Sequence, residues 1–143
     1  MSEYSIQSLF DGADAPDTPQ PPDAFESIGL RGFYRPVAIV TFEQAIELVA
    51  QAMLFARSIG LTELVANTLG LTGYPRPTVV GRYAFATRWA ACGGGVLRLA
   101  MVAPADAIDP QKIGVVMARN RGLDTDVFTT EPAAIAWLDS HRP

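Results

Sequence analysis

One cysteine and one histidine are all that the 143 residues contain of either type, and that scarcity removes whole classes of chemistry. Cys92 has no second thiol for an internal disulfide, and with His141 as its one companion it cannot complete a zinc site. A reducing compartment is the expected home. Long hydrophobic runs are missing too: the longest, Val96 to Ala103, is broken by Arg98 and falls far short of the about 20 residues a bilayer span needs. Met1 to Tyr4 hold no basic stretch leading into an apolar one, so a cytoplasmic protein without membrane insertion is expected.

Basic clusters are equally scarce. The net charge is −4, but Glu3, Asp11, Asp14, Asp17 and Asp23 all precede residue 25, leaving ten acids against eleven bases after it. A nearly neutral remainder with no basic stripe lacks the counterion release that drives nucleic-acid affinity, so nucleic acid is not an expected partner. Ten of the eleven bases are arginine and alanine is abundant, a bias associated with GC-rich bacterial genomes. Nor is there a cofactor motif. Gly93-Gly94-Gly95 follows an expected helix and precedes an expected strand, the reverse of the order that aims backbone amides at a phosphate.

What is present is a chain 49% apolar, ample for one core and hence for one domain over 1–143. Tyr4 to Phe10 alternates as an edge strand. Residues 11–23 hold four prolines and four aspartates without periodicity and read as a mobile segment. Ala24 to Phe33 alternates weakly as one strand pairing with the first, and Val37 to Val40 is a further extended piece. Thr41-Phe42-Glu43-Gln44 fits a capping box, opening a helix to Ile59 that buries Ile46, Val49, Ala50, Met53 and Ala56 and stops at Gly60.

Leu61 to Asn67 reads as a buried strand and Thr68 to Pro77 as an irregular loop. Thr78 caps a second helix, Val79 to about Cys92, expected to bury Val79, Tyr83, Ala86 and Ala90. Val96 to Ala103, apolar at nearly every position, belongs mid-sheet. Asp109-Pro110 reads as a cap with proline at the first helical position, opening a helix to Asn120 that buries Ile113, Val116 and Met117. Gly122 stops it. Asp124 to Phe128 is a short strand, and Thr130 caps a last helix carrying Ile135, Trp137 and Leu138. Strands alternating with such helices require an α/β fold, a mixed, mostly parallel sheet of about five strands with four helices and right-handed crossovers.

The run IDPQKIGVVMARNRGLDTDVFTTEPAAIAWL, from Ile108 to Leu138, closely resembles the C-terminal half of the small bacterial SpoIIAA-like proteins. The stretch ELVANTLGLTGY, ahead of a helix holding Arg82 and Trp89, is similar to the middle of that family, so the resemblance spans about Thr41 to Leu138. It implies a fold like the STAS domains of anti-sigma-factor antagonists, comparable with CRAL-TRIO lipid-transfer domains. It implies a non-enzymatic regulatory or protein-interaction module, with a carrier or sensor of a small apolar ligand as the alternative. The Asp-Ser-Ser-Gly run in which STAS regulators are phosphorylated is replaced here by Asn67-Thr68-Leu69-Gly70, so that switch does not carry over.

His141, third from the end, lacks the support a catalytic base needs, and Cys92 at a helix C-terminus reads as a small core residue. Arg119 and Arg121 complement a helix dipole. Tyr83, Phe85 and Trp89 share a helix and suggest either core or a groove for an apolar ligand. Function in open α/β sheets gathers outside the carboxyl ends of the strands, which selects the loops 67–78 and 104–109. The candidate partner or ligand face is therefore Asn67, Thr68, Thr72, Tyr74, Arg76 and Arg82. What it meets is an unidentified protein, a second copy of the chain included, or a small ligand.

Overall fold

The computed structural model describes residues 20–140, so the strand expected at Tyr4 to Phe10, most of the segment 11–23, and His141 lie outside the described residues. Residues 20–22 have no regular structure and Asp23 and Ala24 form a turn. The single strand expected over Ala24 to Phe33 is instead a hairpin, β1 (Phe25–Ile28) and β2 (Arg31–Tyr34), paired antiparallel. Its two-residue turn has Gly29 at φ +61°, with Leu30 absent from the left-handed region, the pattern of a type II′ turn that matches strand twist. The alternation persists across such a turn and hides it.

A short strand β3 (Ala38–Ile39) leads to α1 (Phe42–Ser58), whose capping box forms as expected: Gln44 N–H donates to the Thr41 hydroxyl at 3.1 Å and Thr41 N–H to Gln44 Oε1 at 2.9 Å. Gly60, at φ +82°, follows the helix. Next come β4 (Glu63–Asn67), a two-residue β5 (Leu71–Thr72) and α2 (Val79–Gly93), capped by Thr78 through the Gly81 amide at 3.0 Å. Thus the loop Thr68 to Pro77 is not wholly irregular; β5 pairs in parallel with β3. The chain continues through β6 (Arg98–Val102), a single 3-10 turn (Ala105–Ala107), α3 (Ile113–Asn120), β7 (Thr125–Phe128) and α4 (Glu131–Ser140).

The main sheet runs β1-β2-β4-β6-β7, antiparallel at the hairpin and parallel elsewhere, so the fold is α/β with four helices on a mostly parallel sheet. Because the parallel strands step in one direction, right-handed crossovers put α1, α2 and α3 on the same face. Tyr34, Leu64, Ala66, Leu99 and Met101 meet those helices. The alternate residues Phe33, Val65, Ala100 and Val102 meet Ala134, Trp137 and Leu138 of α4 on the other face. β4 and β6, covered on both sides, are the near-continuous apolar runs the sequence shows.

Two helices depart from expectation. α2 turns Arg82, Ala86, Trp89, Cys92 and Gly93 inward and leaves Val79 and Tyr83 exposed. Apolar residues lie nearly all round it, so periodicity does not set its rotation; contacts do, including the Trp89 indole N–H donated to the Ile46 carbonyl at 3.0 Å. α3 begins three residues later than the Asp109-Pro110 pair suggests, behind Lys112 at φ +51°. Val116 is exposed and Gly114, Val115 and Ala118 are buried instead.

Candidate functional site

Between α1, α2 and α3 and the sheet lies a cavity of about 120 Å³. Its walls are Ile46 and Val49 of α1, Phe85 and Trp89 of α2, Met101 of β6 and Val115 of α3. Rings run along one side: Tyr74 lies 5.8 Å from Phe42, Phe42 6.4 Å from Phe85, and Phe85 4.7 Å from Trp89, centroid to centroid. Gly114 is part of this arrangement, since a Cβ there would collide with the Phe85 ring. The rim is formed by half-buried or exposed Pro77, Ala103, Pro104, Ala107 and Ile108, from the loops that leave the carboxyl ends of β4 and β6.

Of the six candidate residues, Thr68, Tyr74 and Arg82 line this cavity and Asn67, Thr72 and Arg76 do not. Asn67 is spent on structure: its Oδ1 accepts from the Leu69 amide at 3.0 Å and its Nδ2 donates to Glu131 Oε2 at 2.8 Å. The same carboxylate accepts two N–H groups of Arg35, and with Arg35 as the main cause the Glu131 carboxyl is held below its ordinary range. Thr72 and Arg76 are exposed. Thr68 is buried and donates its hydroxyl to the Val102 carbonyl at 2.8 Å, which leaves it no proton for a ligand.

Arg82 is different. Only 8% of it is exposed, it sits on the inward row of α2 beside Phe85 and Trp89, and among the described residues its guanidinium meets no hydrogen-bond acceptor, carboxylate or ring face. No nitrogen of it is sealed off, because the sole enclosed side-chain nitrogen without a partner among the described residues is Nη2 of Arg98. The Tyr74 hydroxyl likewise meets no partner among the described residues, and burial pushes its pKa up, so it stays a proton donor. Around the cavity the remaining polar groups are committed. Lys112 Nζ pairs with Asp126 at 2.8 Å, Asp109 accepts the Gln111 and Ile113 amides at 2.9 and 3.1 Å, and Thr125 donates to the Leu99 carbonyl at 2.6 Å.

The aromatic trio read from the sequence divides. Phe85 and Trp89 line the cavity, whereas Tyr83 faces outward with the Arg121 guanidinium 4.8 Å above its ring. Arg119 donates to the Thr125 carbonyl at 2.9 Å, a structural bond near the end of its helix. Cys92 is buried away from the cavity, and burial, more than any neighbouring charge, raises its thiol pKa. Sequence reasoning missed Phe42, Met101 and Val115 as walls, for which it offered no signal beyond apolar character. No protein-family model, curated protein or solved structure matches the chain.

Proposed function

We propose that the chain is a binding domain, a carrier or sensor that holds a small, mainly apolar molecule between its three helices and the sheet. The cavity carries this reading. Protein interiors are close-packed, so a space of about 120 Å³ kept open between helices and sheet is a feature that core packing alone does not produce. An apolar cavity of similar size, about 150 Å³, takes up benzene. Ligand sites are of this kind, mostly apolar with few convergent polar groups. Binding is favoured over catalysis because Thr68, Asp109, Lys112 and Thr125 around the cavity are committed to structural bonds. Membership of the SpoIIAA-like family is part of the same proposal, taken in its apolar-ligand rather than its regulatory form. The regulatory form has the exposed Val37, Ile39 and Val80 in its favour.

The test is a titration with toluene followed by NMR of the methyl groups of Ile46, Val49, Val115 and Val127. With seven heavy atoms, toluene is expected to bind with Kd of about 0.1 to 1 mM. Shifts confined to those methyls support the reading, as does their loss in Ala103→Phe, whose ring enters from the rim. Unperturbed methyls at millimolar toluene contradict it.

A further inference from the structure

We infer that the ligand carries a carboxylate, which Arg82 receives as a two-pronged ion pair at the cavity while the Tyr74 hydroxyl donates a further hydrogen bond. The inference rests on the reading of the cavity as a ligand site and names the ligand's chemistry. A guanidinium is charged at every physiological pH and offers five donors for an anion. Other interior arginines of this protein are paired: Arg31 and Arg98 reach Glu63 at 2.9 and 3.1 Å. Arg82, 8% exposed, has no such partner among the described residues; its nitrogens are reached by solvent, and the residue lines the cavity.

The two donors, unpartnered among the described residues, also specify the anion. One such cation matches a monoanion, and its flat fork matches the two oxygens of a carboxylate. A phosphate brings nearly two charges and usually a nest of backbone amides, but the neighbouring Lys112 is already paired with Asp126. The aromatic side of the cavity and its volume of about 120 Å³ fit a body the size of one ring. The ligand class is thus a small aromatic or short-chain monocarboxylate.

Toluene and benzoate, which differ by methyl against carboxylate, separate the charge from the ring. Calorimetric and NMR titration of the full chain should show benzoate binding at least tenfold tighter than toluene. Arg82→Met should abolish that preference and leave toluene binding within twofold, with circular dichroism confirming the fold. Tyr74→Phe, which keeps the charge and the ring, should weaken benzoate at least threefold and spare toluene, and it serves where Arg82→Met does not fold. Toluene binding without a preference for benzoate overturns the carboxylate assignment and leaves the cavity reading intact. Binding of neither overturns both, and a preference that survives Arg82→Met removes Arg82 from the site.

Discussion

At the rim of the cavity the Asp109 side chain is bound to its own backbone. Its Oδ2 accepts from the amides of Gln111 and Ile113, so its charge serves the turn that feeds α3. Replacing it with alanine orphans two donors and should cost about 1 kcal/mol, the usual loss when such a cap is removed. Urea denaturation measures that loss, and toluene affinity should stay within threefold. Unchanged stability with lost binding would mean that the carboxylate faces the ligand. The sequence marks Asp109 as the N-cap, but that position falls to Lys112, and Asp109 instead closes the turn before it. An Asp-Pro pair opens a turn and a helix with the same first steps. Here the left-handed Lys112, tied to Asp126, and the close approach of Gly114 to Phe85 delay the helix.

At the level of elements, the amino ends of three neighbouring strands carry a charged row. Register aligns Arg31 of β2 with Glu63 of β4, and Glu63 with Arg98 of β6, so one buried carboxylate is shared by two guanidinium groups. Asp139 and Asp124 hold the outer sides, and Arg98 also lies 5.0 Å over the Trp137 ring. Removing one charge from a buried cluster leaves the others uncompensated, so Glu63→Gln should destabilise by roughly 3 kcal/mol in chemical denaturation. A change below about 0.5 kcal/mol would place this row among weak surface pairs. Arg31, Glu63 and Arg98 are over thirty residues apart in the chain, and no local pattern announces them; register brings them together. Helix α1 was legible because its cap, stripe and stop agree. The rotation of α2 was not, since apolar residues on several faces left the choice to tertiary contacts.

For the whole molecule, strand order decides where the cavity lies. The parallel strands step in one direction, which gathers three helices on one face and leaves α4 to cover the other. The expectation that loops 67–78 and 104–109 matter follows from this architecture, and both contribute to the cavity rim. Among the polar residues of these loops, Asn67 bonds to Glu131 while Thr72 and Arg76 face solvent. Arg82 was legible as a cation one turn into a helix, and only the fold turns it inward.

The most direct measurement is a crystal structure of the protein grown with 4-bromobenzoate, whose bromine is located by anomalous scattering. The account predicts a bromine peak among Ile46, Met101 and Val115, with the carboxylate within hydrogen-bond distance of the Arg82 guanidinium. An empty or collapsed cavity at millimolar ligand, or a carboxylate turned out to solvent away from Arg82, would contradict it.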